Sequence, residues 1–222
     1  MKRPLFLEGG YYHIYNRGVD KRKIFLSPAD YTKFIQLLIF GNDTKPIIYL
    51  SSGEITSRIS ERTRLVDVIC YCLMSNHFHL LLRQKVKNGI PLFMQKISTG
   101  YAMYFNLKNE RSGALFQGRY KGIHIERDEY LTHLSRYIHL NPAEMVEPGW
   151  KENGINDSQK IHDFVKNYKW SSYSSYLNRS YKNHILHDDL ICKIFKDRNS
   201  YEDFVKGWIN KDLCLISDCI LE

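Results

Sequence analysis

Tyr11-Tyr12-His13-Ile14-Tyr15 is a short aromatic run with strand character, closed by Asn16-Arg17-Gly18. A charged loop, Asp20-Lys21-Arg22-Lys23, follows. Ser27-Pro28-Ala29-Asp30 then marks a helix start, with Ser as cap, Pro in the first turn and Asp three residues after the cap. Tyr31, Phe34, Ile35 and Leu38 recur at helical spacing until Gly41-Asn42 stops them. The pattern weakens over residues 41–64, where Pro46 and Ser51-Ser52-Gly53 indicate a loop insertion with a short strand at 47–50. Residues 65–74 are apolar and β-rich, as a central strand requires. Ser75-Asn76 is a turn pair, and 77–83 returns as the second strand of a hairpin. A helix over 91–107 places Phe93, Ile97, Tyr101 and Tyr104/Phe105 on one face, and Arg111-Ser112-Gly113 breaks it. Residues 119–125 read as another strand. Asp128 opens a capped helix that Pro142 should end at Asn141, because proline disfavours helical backbone in the residue before it.

The order β-α-β-β-α-β, followed by a helix, is the split βαβ pattern. It predicts an α+β fold of ferredoxin-like type, an antiparallel sheet with helices on one face. The main domain is expected over 1–145. Residues 146–222 form a C-terminal extension of polar loops, the block Trp170-Ser171-Ser172-Tyr173 and a helix at 201–209. That extension either packs on the core or stands as a small helical module.

The chain has 222 residues, 43% of them apolar and 25% charged, which excludes a disordered or low-complexity protein. Lys and Arg exceed Asp and Glu by 32 to 24, giving +8. Sixteen Tyr, eleven Phe and three Trp supply rings able to stack on bases, so a polyanionic partner is as well supported as an ordinary basic protein with an aromatic core. No run approaches the ~18 apolar residues of a membrane span, and the apolar stretch at Leu5-Phe6-Leu7 is too short for a signal peptide. Five cysteines without a Cys-x-x-Cys pair suggest reduced thiols and a cytoplasmic protein, with Cys70 and Cys72 packed as small hydrophobes.

Three constellations could carry chemistry. His77 and His79, two apart on a strand, share a face and can converge on one cation while Phe78 enters the core. The same pair also fits one exposed and one hydrogen-bonded histidine on a sheet surface. On the helix after Asp128, His133, Tyr137 and Asn141 form one row beside the apolar stripe Leu131, Leu134 and Ile138. This sets a phenol and an amide at the border of the core, although any one of sixteen tyrosines is more often a packing residue than a nucleophile. The third is basic: Arg17 with Lys21, Arg22 and Lys23, and Arg119-Tyr120-Lys121, which combines charge with a ring suited to single strands. The Lys21–Lys23 run by itself reads as solvated surface. No phosphate-binding glycine loop, nucleophile elbow or zinc-finger spacing occurs.

Several blocks appear together and in order: Tyr12-His13-Ile14-Tyr15-Asn16-Arg17-Gly18, Tyr71-Cys72-Leu73-Met74-Ser75-Asn76-His77-Phe78-His79-Leu80-Leu81, Phe116-Gln117-Gly118-Arg119-Tyr120-Lys121, Ser135-Arg136-Tyr137-Ile138-His139-Leu140-Asn141-Pro142 and Trp170-Ser171-Ser172-Tyr173. On these blocks the chain resembles the single-tyrosine HUH transposases, and most closely the REP-associated tyrosine transposases. The resemblance spans about residues 11–177 and implies a ferredoxin-like fold. It implies that His77 and His79 bind Mg²⁺ or Mn²⁺, that Tyr137 is the nucleophile, and that Asn141 stands where the family has a polar third ligand, often Gln. Arg17, Arg119, Tyr120 and Lys121 would contact DNA.

The expected activity is that of a metal-dependent single-stranded DNA endonuclease and strand transferase. It would act at DNA hairpins of palindromic repeats through a 5′-phosphotyrosine. A monomer with Tyr137 acting in cis is favoured over a homodimer. The alternatives are a catalytically inactive DNA- or RNA-binding regulator on the same fold and a metallohydrolase that uses water as its nucleophile.

Overall fold

The structure is a computed structural model that describes residues 4–49, 55–56, 62–178, 184–186 and 190–209. Its first elements are strand β1 (Tyr11–Arg17) and helix α1 (Pro28–Phe40). The α1 start is the predicted one: Ser27 and Asp30 form a capping box, and the Asp30 carboxylate accepts from the Ser27 backbone N–H at 2.9 Å. Of the 41–64 insertion, the described part contains a two-stranded ribbon, β2 (Ile48–Tyr49) paired antiparallel with β3 (Ile55–Thr56). Buried Asn42 ties the insertion down. Its amide nitrogen donates to the Val66 carbonyl at 2.8 Å, and its oxygen accepts from the backbone of Leu65 and Val66 at 3.0 Å each.

The hairpin β4 (Val66–Leu73) and β5 (His77–Gln84), helix α2 (Gly89–Lys108) and strand β6 (Lys121–Ile125) complete a four-stranded antiparallel sheet ordered β4-β5-β1-β6. This is the ferredoxin-like order expected from the alternation of elements. One sheet face carries Tyr12, Ile14, Val68, Phe78, Leu80 and Leu82. It packs on Phe34, Leu37 and Leu38 of α1 and on Phe93, Ile97 and Tyr101 of α2, so the two crossover helices share a face.

The other face is covered as well. Helix α3 (Asp128–Leu140) buries Leu131, Leu134 and Ile138 against it. Beyond α3 come the short α4 (Trp150–Asn153), α5 (Ser158–Lys166), α6 (Tyr173–Leu177), α7 (Leu190–Ile194) and α8 (Arg198–Ile209). Ile161, Val165, Tyr173, Tyr201 and Val205 from this region join α3 in a second core. Coverage on both sides accounts for the apolar run of β4 from Val68 to Leu73. A bulge between Val68 and Cys70 turns both Ile69 and Cys70 into the second core, where Cys72 also packs as a small hydrophobe.

The block Trp170-Ser171-Ser172 has a structural reason. It runs along the edge of β4: the Trp170 carbonyl accepts from the Leu73 N–H at 2.9 Å, and the Ser172 N–H donates to the Tyr71 carbonyl at 3.0 Å. The Ser172 hydroxyl oxygen accepts from the Tyr71 N–H at 2.9 Å. An edge that would otherwise recruit another strand is thereby satisfied. The Trp170 ring crosses to the far core and stacks on Tyr31, centroids 4.5 Å apart.

Two local expectations change. The cap of α3 is Arg127, in extended backbone, and Asp128 is the first helical residue, where its charge still favours the helix N-terminus. Pro142 does not stop the chain from coiling either. Asn141 keeps helical backbone (φ −49°, ψ −39°), and the segment tightens into a 3₁₀ turn, Asn141–Met145. Pro142 sits in the first turn of that segment, where a missing N–H costs nothing. Among the described residues no helix is long and apolar enough to cross a membrane.

Candidate active site

The β1–β5 register decides which side chains meet. Tyr15 lies opposite His79 and Arg17 opposite His77, so these four and His13 project from the face that α3 covers. The His77 and His79 rings are 5.0 Å apart between centroids, with their planes at 88°. Together with Tyr15, Asn16, Arg17, Asn76, Gln117 and Lys121 they line one cleft at the end of the sheet.

The chain around the cleft is tightly tied. After β1 it wraps the β4–β5 turn: Gly18 N–H donates to the Asn76 carbonyl at 2.8 Å, and Ile24 N–H to the Ser75 carbonyl at 2.8 Å. A methyl group on Gly18 would stand 2.3 Å from the Arg22 carbonyl oxygen, which is why this position has no side chain. The segment before β6 is bound to the same strand end. Gln117 N–H donates to the Arg17 carbonyl at 2.9 Å, the Arg17 Nε donates to the Gln117 side-chain oxygen at 2.7 Å, and Asn16 donates to the Gly118 carbonyl at 3.1 Å.

Both histidines are oriented through Nδ1. His77 Nδ1 lies 2.6 Å from the Asn76 side-chain oxygen, and the Asn76 amide nitrogen donates to the Lys21 carbonyl at 3.3 Å. An amide oxygen only accepts, so His77 carries a proton on Nδ1 and, when neutral, has its lone pair on Nε2. His79 Nδ1 lies 2.9 Å from Nε2 of the buried His13.

Tyr137 reaches this cluster from α3. Its ring meets His79 edge-on at 5.8 Å and His13 at 6.5 Å. It is also 0% exposed, so the phenol lies behind the histidines and does not line the cleft. Asn141, expected as a third ligand, lies one turn after Tyr137 on the same buried side. It is buried and absent from the cleft wall, and its amide nitrogen donates to the Tyr137 carbonyl at 3.1 Å. Tyr120 is placed away from the cleft. At 8% exposure its ring belongs to the core on the α1/α2 side, 6.4 Å from Phe6, and offers no stacking surface. Lys121 is exposed on the cleft wall with its ammonium 5.7 Å from the centre of the Tyr15 ring, and Arg119 is exposed beside it in sequence.

Of the neighbouring histidines, His139 serves packing. It is wholly buried, and burial pushes its pKa down to about 3. His13, Asn76 and Gln117 were not singled out as site residues in the sequence. Alternation along β1 puts His13 and Tyr15 on one face, but which partner strand they meet depends on sheet order and register.

The donors present suit a divalent ion. Two imidazoles converge at a cleft flanked by cations, and among the described residues no three His, Cys, Asp or Glu side chains gather as a closed cage. A two-nitrogen set leaves most positions of a six-coordinate ion to phosphate oxygens and water.

Comparison with known proteins gives one family model and a relative in fold. The family model described as transposase IS200-like matches residues 45–141, which include the hairpin with both histidines and the helix with Tyr137 and Asn141. A solved structure of a REP-associated tyrosine transposase bound to a REP hairpin is similar in fold, with a TM-score of 0.54 over 86% of this chain and 92% of that one at 14% identity. No curated protein sequence matches.

Proposed function

We propose that the chain is a metal-dependent endonuclease and strand transferase for single-stranded DNA beside a hairpin, with Tyr137 as its nucleophile. The observation that carries this reading is the approach of the Tyr137 ring to His79, 5.8 Å away, at a cleft that His77 lines as well. His77 and His79 would hold Mg²⁺ or Mn²⁺, and the bound ion supplies Lewis-acid polarisation of the scissile phosphate. Arg17, Lys121 and Arg119 bring positive charge to the DNA backbone. The Tyr137 oxygen bonds to phosphorus as the bond to the 3′ oxygen breaks. The phenolic proton is given up and the leaving oxygen takes one, which yields a 5′-phosphotyrosine and a free 3′-OH. Attack by a 3′-OH reverses the step, so ends rejoin without an external energy source. Since Tyr137 is covered, DNA entry has to accompany an opening of its surroundings. The hairpin partner is taken from the fold relative, whose structure contains a REP hairpin.

The burial of Tyr137 also favours a second reading, a hairpin-binding protein without turnover. One assay separates the two. Wild-type protein with Mn²⁺ and a hairpin carrying a 5′ single-stranded flank should give an SDS-resistant adduct, which digestion and mass spectrometry place on Tyr137. Tyr137→Phe should bind the hairpin equally and form none. Binding without any adduct from the wild type selects the second reading, and cleavage that leaves an unblocked 5′-phosphate selects a water nucleophile.

A further inference from the structure

We infer that His13 is a positioning residue that holds His79 in the one tautomer able to ligate a cation through Nε2; this inference rests on the metal reading above. The two strands make the contact unavoidable. His13 and His79 sit on one face of the β1–β5 pair, on a diagonal of the register, and their rings lie nearly edge to edge, with centroids 5.1 Å and planes 20° apart. His79 Nδ1 and His13 Nε2 are 2.9 Å apart, and His13 is 1% exposed. The Tyr15 ring stacks on His13 at 4.9 Å, and Tyr137 closes on it edge-on.

A hydrogen bond between two imidazoles can be written in two ways. In one, His79 donates from Nδ1 and His13 accepts at Nε2, which leaves the His79 lone pair on Nε2. In the other, His13 donates and the His79 proton lies on Nε2, where it blocks ligation. Ligation through Nε2 therefore demands a neutral His13 with its own proton on Nδ1. His77 has no such choice, because its partner is the oxygen of Asn76. The ligand pair is thus asymmetric: one tautomer is dictated by an obligate acceptor and the other by a second histidine.

Three full-length proteins test this: wild type, His13→Phe and His13→Gln. Phe keeps a flat ring without an acceptor, and Gln keeps an oxygen acceptor near the Nε2 position. Mn²⁺ affinity is measured by electron paramagnetic resonance without DNA, and the His79 tautomer in metal-free protein by long-range ¹H–¹⁵N correlation. The wild type should carry the His79 proton on Nδ1. His13→Phe should weaken Mn²⁺ binding by about 10–100-fold, the usual loss when a partner of a ligating histidine is removed. His13→Gln should recover most of the affinity. Hairpin binding in EDTA should stay at the wild-type level in both.

Undiminished Mn²⁺ affinity in His13→Phe overturns the proposal, provided His77→Ala does lose Mn²⁺. If His77→Ala binds Mn²⁺ as well as the wild type, the metal reading itself fails. A His79 proton found on Nε2 in the metal-free wild type also overturns the positioning role. Should His13→Phe fold poorly, the Gln variant and the wild-type tautomer still decide the matter.

Discussion

A phenol with an ordinary pKa near 10 is a weak nucleophile at neutral pH, so the groups around Tyr137 matter more than the residue type. Its ring meets those of His79 and His13 edge-on. On the proposed reading, cations at the phosphate supply the activation. This predicts that His77→Ala and His79→Ala each abolish cleavage while hairpin affinity changes little, because the proposed backbone contacts run through Arg17, Arg119 and Lys121; a gel assay for cleavage beside a binding titration checks both. Asn141→Ala has a different expected effect. It removes a buried hydrogen bond to the Tyr137 carbonyl and should lower stability by about 1 kcal/mol, read by denaturant unfolding, with cleavage reduced only as far as α3 loosens. The spacing of His77 and His79 showed that they share a face, but their ring partners were hidden. Asn76 looked like a turn residue and His13 like part of an aromatic strand, and only the register brings them to the two imidazoles. Tyr120 misled for the converse reason. Its place between two cations resembles a stacking site, while strand alternation and the nearby Phe6 turn it inward.

The helix that carries Tyr137 is held from behind by the C-terminal extension. The Tyr201 hydroxyl of α8 lies 2.7 Å from His139 Nδ1 and 3.0 Å from the Ser135 hydroxyl, both on α3. His139 Nε2 lies 2.7 Å from the Ser172 hydroxyl, which in turn is bonded to β4. Arg136 of α3 donates to the Phe204 carbonyl at 3.1 Å and stands 4.2 Å over the Phe204 ring. These intrachain ties favour Tyr137 serving the histidines of its own chain. They also make the region acid-sensitive. His139 is kept neutral in the fold down to about pH 3, while the unfolded chain takes up its proton near the ordinary 6.5. Its contribution is complete above about pH 6.5 and declines as the pH falls toward 3, amounting to a loss of about 2 kcal/mol by pH 5. Buried His162, lowered first by burial and then by Lys206, acts in the same direction. Urea unfolding at pH 8 and pH 5 should show the wild type losing about 2 kcal/mol more than His139→Gln, whose amide cannot titrate in this range; equal losses would remove His139 from the account. The apolar spacing of α3 and the position of its proline were plain in the sequence, but its second buried side was not. His139 and Ser135 look like polar surface positions until a C-terminal helix packs over them.

At the scale of the whole molecule the two sheet faces divide the work. The α1/α2 side is a closed aromatic core, and the α3 side combines a core with the cleft at one end of β1 and β5. The alternation of elements carried the first half of this picture. The second half comes from helices that follow the ferredoxin-like pattern, and polar loops conceal their packing in the sequence. Charge follows the same division. Exposed Lys21, Arg22 and Lys23 belong to the loop that wraps the β4–β5 turn, so the run that reads as solvated surface in sequence stands near the cleft with Arg17, Arg119 and Lys121. A net charge of +8 gathered partly at this end should make DNA binding strongly salt-dependent. Each phosphate neutralised on a single strand adds about −0.7 to the slope of log K against log salt, so six cations set a limit of about −4. Titrations of a flanked hairpin at several KCl concentrations in EDTA should give a slope that approaches this limit. Arg119→Ala combined with Lys121→Ala should make it shallower by about 1.4, two phosphates' worth. Replacing Lys21 and Lys23 by Ala tests the loop. An unchanged slope there, beside a shallower one for the Arg119/Lys121 pair, would confine the DNA track to β6 and the segment before it, whereas losses from both sets would extend it across the turn that holds His77.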